Sequence, residues 1–187
     1  MFKEDRTESM FNWEHLGDVD EGRPNLGKMM YVSVYRLMQF TLRDVLIKEL
    51  GVRKADDIFF KSGEVAGKQF YRNVITRKDT FNAFIIDLQE SLKNLNIGIL
   101  RVEAADLENM KFTLTVAEDL DCSGLPVCSE QICTYDEGFI TGLLNEHTGR
   151  SFSVKEVDCW CSGDRVCRFE AVPADGHWFS SMGWQKP

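Results

Sequence analysis

The spacing of apolar residues changes from a helical to an alternating pattern near residue 96. Before this point, apolar residues recur at intervals of three and four over three stretches, which predicts amphipathic helices. The first stretch runs from Met30 to Leu50 and the second from Glu64 to about Thr76. The third begins after Thr80, a residue type that favours helix starts, and carries the apolar stripe Phe81, Phe84, Ile85, Leu88 and Leu92.

Beyond residue 96 the pattern predicts a sheet. Residues 97–102 form a short apolar run, and residues 110–116 alternate between apolar and polar side chains, as in a half-buried strand. An irregular loop at 118–132 precedes a fourth helix over about Tyr135–His147, which ends at Gly149. Two further strands, at 151–161 and 165–172, flank a turn at 162–164. This order of elements predicts an α+β fold in which helices pack on an antiparallel sheet.

Length and composition favour one globular domain with short extensions. We divide the 187 residues into a polar N-terminal arm at 1–28, a domain at 29–173 and an aromatic C-terminal tail at 174–187. The formal net charge of −8 argues against direct binding to nucleic acid, which requires a basic surface. No apolar run is long enough to span a bilayer, and residues 1–23 lack the apolar core of a signal peptide. These features predict a cytoplasmic protein whose thiols stay reduced.

All six cysteines fall between residues 122 and 167. In the last predicted hairpin, a three-residue turn places Cys159 opposite Cys167, with β-carbons about 4.5–5.5 Å apart. Two thiolates at this separation can share one metal ion, and Cys133, at the start of the fourth helix, can supply a third. The pattern therefore predicts a structural zinc site that ties a helix to the sheet.

The spacing leaves the fourth ligand open. Cys161 lies on the same strand face as Cys159, whereas Glu156 reaches that face only if a β-bulge intervenes. Cys122, Cys128 and Cys161 can equally be buried, inert thiols. Cys122 and Cys128 can also be redox-active thiols or, together with Cys133, ligands of an iron–sulfur cluster. Their spacings match none of the common ferredoxin patterns.

The segment from Cys133 to Glu170 resembles the C-terminal half of the 4-vinyl reductase domain family. The matching features are the acidic-glycine-aromatic helix start at 136–139, the Thr148-Gly149 helix end and the hairpin sequence SGDRVCRFE. SGEVAGKQF at 62–70 resembles the start of the family more loosely. Related sensor domains of aromatic-responsive transcription activators carry a zinc site of three cysteines and one glutamate. Its spacing of 23, 3 and 8 residues is reproduced here, so the resemblance implies the ligand set Cys133, Glu156, Cys159 and Cys167.

The resemblance also implies a fold shared with haem-dependent nitric-oxide sensors and vesicle-tethering subunits. Such domains enclose an apolar pocket between helices and sheet and often dimerise through helices. An apolar small-molecule ligand is therefore expected, with a signal passed through a homodimer or a partner protein. The predicted pocket residues are Phe84, Phe112, Phe139 and Leu143. Because phenol-responsive relatives use histidine and tryptophan where this chain has Phe84 and Phe112, we expect a ligand less polar than phenol.

The family name refers to reduction of a tetrapyrrole vinyl group, which makes a reductase-associated protein the alternative. Hydride transfer requires a cofactor, and the chain has neither a G-x-G-x-x-G sequence after a strand nor a P-loop. The three histidines, His15, His147 and His177, are scattered and are interpreted as surface residues rather than haem ligands. The sequence thus favours a zinc-stabilised binding domain without catalytic residues.

Overall fold

Five α-helices and four β-strands lie within residues 3–174, the part of the chain that the computed structural model describes. The helices are α1 (Val19–Gly22), α2 (Val32–Leu50), α3 (Val52–Asn73), α4 (Phe81–Asn94) and α5 (Thr134–Thr148). The strands are β1 (Ile99–Asp106), β2 (Lys111–Ala117), β3 (Phe152–Asp158) and β4 (Cys167–Pro173), and short 3₁₀ helices lie at Trp13–Leu16 and Trp160–Ser162. The helices pack on an antiparallel sheet, which confirms the predicted α+β class.

The four strands form one antiparallel sheet in the order β1-β2-β4-β3. Burial alternates along its two central strands. Phe112, Leu114 and Val116 of β2 are buried, as are Phe169 and Ala171 of β4, while the residues between them are half-buried. This alternation is expected of an antiparallel sheet with one face packed against helices. The core therefore lies between that face and the helices.

Helix α3 begins at Val52, well before the predicted start near Glu64. Only Gly51, with a φ of 82°, separates α2 from α3. The predicted start is wrong because Gly63, just before it, lies inside the helix, where a neighbouring helix leaves no room for a side chain. Gly63 is therefore required by the packing of two helices and does not mark a helix boundary.

Helices α3 and α5 touch at the level of their backbones. Gly63 and Gly67 of α3 and Gly138 and Gly142 of α5 lie along the contact, and a Cβ atom on any of them would lie 2.0–2.3 Å from a carbonyl oxygen of the other helix. Real Cβ atoms essentially never come closer than 3.0 Å to such an atom, so glycine is required at these positions. The contact holds α5 directly against α3 and so fixes the position of Cys133, the N-cap residue of α5.

The polar N-terminal arm contacts α3. The Trp13 backbone N–H donates to Gln69 Oε1 at 3.1 Å, and Gln69 Nε2 donates to the Phe11 carbonyl oxygen at 3.5 Å. The predicted aromatic tail lies outside the described residues except for Ala174. Within residues 3–174, no helix is both long enough and apolar enough to cross a membrane.

Candidate metal centre and apolar cavity

Four buried cysteines from four separate segments lie together. Cys122 lies in the loop after β2, Cys133 precedes α5, Cys159 follows β3, and Cys167 begins β4. Each is at most 1% exposed. Their sulfur atoms all lie within 4.8 Å of one another. The Cys133 sulfur is 3.8 Å from the sulfurs of Cys159 and Cys167, and the sulfurs of Cys122 and Cys167 are 3.0 Å apart.

This arrangement fits a tetrahedral metal ion. Zinc bonds thiolate sulfur at about 2.3 Å, so neighbouring sulfurs of a tetrahedral site are separated by about 3.8 Å. The Cys133 sulfur meets that spacing to both Cys159 and Cys167. All four cysteines are free thiols rather than disulfide partners. Four soft donors in a closed, buried cluster match the chemistry of a structural zinc site.

Close contact between the four thiols opposes their joint ionisation. Contacts with the sulfurs of Cys122, Cys159 and Cys167, together with burial, raise the pKa of the Cys133 thiol far above its usual range. Contacts with thiol neighbours, Cys122 foremost, lower the pKa of Cys159. One thiolate is therefore favoured and further thiolates are repelled. A divalent ion removes that repulsion, since thiols that ligate a metal are deprotonated.

The predicted ligand Glu156 lies next to these cysteines. The β-bulge that this requires is present, because the register between β3 and β4 shifts between Glu156 and Asp158. Glu156 Oε2 accepts a hydrogen bond from the Cys133 backbone N–H at 3.1 Å, while Oε1 is buried with no hydrogen-bond partner among the described residues. Burial, with the neighbouring Cys159, raises the pKa of Glu156 to about 8. The structure thus brings Glu156 together with the three predicted cysteine ligands.

Cys122 joins the group, although the sequence left its role open. Its backbone N–H donates to Asp119 Oδ1 at 3.0 Å, and the Asp121 N–H donates to the same oxygen at 2.8 Å. This Asx-type turn fixes the backbone that carries Cys122 beside the other thiols. The sequence signal for it is a short polar turn directly after a buried strand.

The remaining two cysteines lie outside the four-sulfur group. Cys128 is exposed, whereas Cys161 is 1% exposed. The Cys161 carbonyl oxygen accepts hydrogen bonds from the backbone N–H groups of Cys128 and Ser129, each at 2.9 Å. Cys161 lies in the 3₁₀ helix after β3, so the strand predicted over 151–161 ends at Asp158. Cys161 therefore does not share a strand face with Cys159, which was the reason to consider it as a ligand.

A small apolar cavity lies between helices α4 and α5 and strands β1 and β2. Its volume is about 40 Å³, enough for about three water molecules. Twelve apolar residues and two aspartates, Asp119 and Asp136, line it. Asp136 Oδ2 is buried with no hydrogen-bond partner among the described residues, and burial raises the pKa of Asp136. The cavity is therefore apolar with one polar end.

Three of the four predicted pocket residues line this cavity, namely Phe84, Phe139 and Leu143. Phe112 lies outside the lining, and its ring stacks on Phe81 with centroids 4.4 Å apart. Its role in a ligand pocket stays a prediction.

His147 packs in an aromatic cluster near the end of α5 and is half-buried. Its ring stacks on Phe84 with centroids 4.3 Å apart, and the Tyr71 hydroxyl lies 3.2 Å from His147 Nδ1. Burial lowers the pKa of His147. The half-buried imidazole is therefore favoured in its neutral form. Three-dimensional packing of this kind leaves no periodic signal around an isolated histidine.

Helix α2 is attached to the loop that follows β2. Arg36 donates to the carbonyl oxygens of Leu120 and Ser123, from Nε at 2.7 Å and from Nη2 at 2.9 Å. The Asp121 carboxylate accepts hydrogen bonds at 2.8 and 2.6 Å from two further side chains of α2, Tyr35 and Gln39. These bonds join α2 to the same short loop that positions a cysteine of the cluster.

A comparison with known protein families finds one match in the C-terminal part of the domain. Residues 112–173 match the 4-vinyl reductase domain. The matched segment runs from β2 to β4 and contains all four clustered cysteines. The resemblance to the 4-vinyl reductase family that the sequence indicated is thereby confirmed.

Two proteins of Methanocaldococcus jannaschii are similar to this chain over most of its length. MJ1642 is 25% identical over 150 residues, which cover 80% of this chain and 82% of the relative. MJ0150 is 24% identical over 144 residues, which cover 77% of this chain and 76% of the relative.

Solved structures of low sequence identity share the fold of the chain. The phenol-responsive sensory domain of the transcription activator PoxR, in a structure with phenol, superposes with a TM-score of 0.62 at 14% identity, covering 86% of this chain and 84% of that domain. A vinyl-4-reductase family protein from M. jannaschii gives a TM-score of 0.60 at 20% identity, covering 90% and 100% of the two chains.

The fold extends to two further groups. A trafficking protein particle complex subunit 3 from Naegleria fowleri, covalently bound to palmitic acid, gives a TM-score of 0.61 at 11% identity, with 77% and 95% of the two chains covered. An H-NOX protein from S. oneidensis gives a TM-score of 0.52 at 14% identity, with 79% and 78% covered. The predicted fold relationship with nitric-oxide sensors and vesicle-tethering subunits is confirmed.

Proposed function

We propose that this domain binds a small apolar molecule in the cavity between α4, α5 and the sheet, and that it acts as a sensing module. The cavity itself carries the proposal, because apolar pockets with a few polar groups are the usual form of small-molecule sites. Two proteins of similar fold support an organic ligand: the PoxR sensory domain is described with phenol and the trafficking subunit with palmitic acid.

The size of the cavity links ligand binding to movement. An apolar cavity of about 150 Å³ accommodates benzene in another protein, whereas this one measures about 40 Å³. A ligand of benzene size therefore has to displace part of the wall. A ligand that binds the expanded state more tightly shifts the population towards it, which is the physical requirement for a sensor.

A zinc ion is part of the proposal. Cys133, Cys159 and Cys167 would hold it, with the fourth ligand from the same cluster, Glu156 in the set implied by the family. A zinc ion with four protein ligands has no open position for a substrate, so its contribution is to stabilise the fold. The zinc ion would join the start of α5 to the end of β3 and the start of β4, beside the cavity.

The exposed apolar side chains of α2 support a homodimer. None of the residues of α2 is buried, and its apolar side chains Val34, Leu37, Met38, Leu42 and Val45 are 51–66% exposed. Large exposed apolar patches mark interaction sites. We expect Leu37→Arg to convert a dimer to a monomer in size-exclusion chromatography with light scattering. A wild-type protein that stays monomeric at high concentration contradicts the dimer and leaves the α2 face to a partner protein.

Two adjacent residues of α4 allow a matched test of ligand binding. Ile85 lines the cavity, whereas Ile86 is 46% exposed. Ile85→Phe fills the cavity, and Ile86→Phe adds the same atoms on the outside of the helix. With benzene, cyclohexane and phenol as probes, we expect wild type and Ile86→Phe to show a saturable rise in melting temperature and Ile85→Phe to show none. Equal responses of all three proteins would contradict binding in this cavity.

The cytoplasmic location and the lack of a direct nucleic-acid partner stay predictions from composition.

A further inference from the structure

Four cysteine sulfurs form the cluster, and the Glu156 carboxylate beside it is a further candidate donor for a metal ion that takes four. Cys133, Cys159 and Cys167 belong to any arrangement, and Cys122 and Glu156 compete for the remaining position. We infer that Cys122 supplies the fourth thiolate, that Glu156 stays outside the metal shell, and that the metal thereby fixes the loop to which helix α2 is attached. The inference rests on the proposed metal site and is independent of the proposed ligand.

The sulfur positions favour Cys122. Its sulfur lies within 4.8 Å of the other three and 3.0 Å from that of Cys167. A tetrahedral site of four thiolates requires sulfur–sulfur separations of about 3.8 Å, so shifts of about 1 Å or less complete it. Cys122 is fully buried at 0% exposure, and its backbone is held in place by Asp119. The turn therefore places the Cys122 thiol beside the other three.

One side-chain oxygen of Glu156 and its backbone N–H make hydrogen bonds that support the site from outside the sulfur cluster. Its Oε2 accepts the Cys133 backbone N–H at 3.1 Å, and its own backbone N–H donates to Glu137 Oε1 at 2.9 Å. A group that hydrogen-bonds the residue carrying a metal ligand orients that ligand from outside the shell. The buried Oε1 has no partner among the described residues, which makes Glu156 the one competitor that an experiment has to exclude.

The choice of ligand has a structural consequence. The Asp119 side chain holds the turn at Cys122 and also lines the cavity, while Arg36 and its neighbours on α2 hold the next residues of the loop. A bond from Cys122 to the metal therefore connects the cavity wall, the metal and α2 within one short segment. With Glu156 as the ligand, the loop has no direct bond to the metal.

Cobalt(II) in place of zinc counts the thiolates. The near-ultraviolet charge-transfer absorption from thiolate to cobalt grows with the number of coordinated sulfurs. We expect wild type and Glu156→Gln to show the same intensity and Cys122→Ser to lose about a quarter of it, as one of four thiolates is removed. Cys128→Ser, at an exposed cysteine outside the cluster, is the matched control and should equal wild type. A wild-type spectrum with the intensity of three thiolates, left unchanged in Cys122→Ser, overturns the assignment.

Hydrogen exchange tests the connection to α2. With zinc bound, the amides of α2 should exchange faster in Cys122→Ser than in wild type, Cys128→Ser or Glu156→Gln. Equal exchange in all four proteins overturns the connection. If Cys122→Ser does not fold, the intensity of the wild-type cobalt spectrum still decides: the intensity of four thiolates supports Cys122, and the intensity of three thiolates overturns the assignment. Failure of benzene, cyclohexane and phenol to bind leaves these spectra unaffected, so the two proposals fail separately.

Discussion

The glycine contact between α3 and α5 predicts that Gly67→Ala destabilises the fold. A Cβ atom on Gly67 would lie 2.1 Å from the Phe139 carbonyl oxygen and 3.0 Å from the Leu143 backbone nitrogen. These are backbone atoms of a packed helix, so they cannot rotate away as the end of a side chain would. The two helices have to separate by about 1 Å before the new atom reaches the 3.0 Å limit of real Cβ contacts.

Two opposing effects set the magnitude. Alanine in a helix interior is more favourable than glycine by about 1 kcal/mol. Overpacking a core costs about 1–3 kcal/mol, and the upper end applies where backbone has to move. Moving α5 also disturbs Phe139 and Leu143 at the cavity and Cys133 at the cluster. We expect a net loss of about 2 kcal/mol in the free energy of unfolding, equivalent to a decrease of about 4–8 °C in melting temperature for a chain of this size.

Urea unfolding, followed by circular dichroism, measures this loss. Ser62→Ala is the matched control, because Ser62 is an exposed position of the same helix where alanine improves helix propensity without a clash. We expect Ser62→Ala to be as stable as wild type or slightly more stable. A Gly67→Ala protein at least as stable as Ser62→Ala would refute the backbone contact between α3 and α5.

Two further predictions concern titratable groups. Asp87 Oδ2 accepts hydrogen bonds at 2.6–2.9 Å from the backbone N–H groups of Thr76 and Arg77 and from the Thr76 hydroxyl. Burial opposes the charge, but these bonds prevail and lower the pKa of Asp87. Asp87→Asn should therefore lose about 1.5–3 kcal/mol of unfolding free energy at neutral pH, as measured by urea unfolding. The difference from wild type should shrink below about pH 4, because the wild-type carboxyl is then protonated. A difference that stays constant with pH would contradict this. Because burial lowers the pKa of His147, the unfolded chain binds more protons and stability should fall as the pH drops below about 6.5. His147→Phe should weaken this dependence in thermal unfolding between about pH 5 and pH 7.5, and an unchanged profile would count against a buried, neutral imidazole.

The fold class followed from the sequence because it depends on a property that each segment carries alone. The change of apolar period near residue 96 marks where helices give way to strands, and the structure follows it. The start of α3 was missed because Gly63 has a meaning that only the partner helix supplies. A glycine required by a neighbouring backbone cannot be distinguished by spacing from one that ends a helix.

The candidate site was partly predictable for the same reason. Cys159 and Cys167 belong to one hairpin, and Cys133 stands at a recognisable helix start, so their approach could be inferred from local structure. The position of Glu156 depends on a bulge, and that of Cys122 on a polar turn in an irregular loop. The bulge arises in the pairing of β3 with β4 and the turn from hydrogen bonds within the loop, and neither leaves a periodic pattern.

Three contacts hold helix α5 in place, so α4 is the helical wall of the cavity that moves more easily. At its start α5 carries Cys133 of the cluster, along its length it touches the α3 backbone, and Lys155 of β3 forms an ion pair of 2.7 Å with Glu137 in its first turn. By contrast, α4 is held through side chains: Gln89 Nε2 donates to the Leu100 carbonyl oxygen at 3.2 Å, and Asp87 accepts the three hydrogen bonds described above. Restoring close packing around a larger ligand therefore requires less disruption at α4 than at α5. A metal bound at the cluster strengthens this asymmetry, because it would add a further constraint to α5 and none to α4.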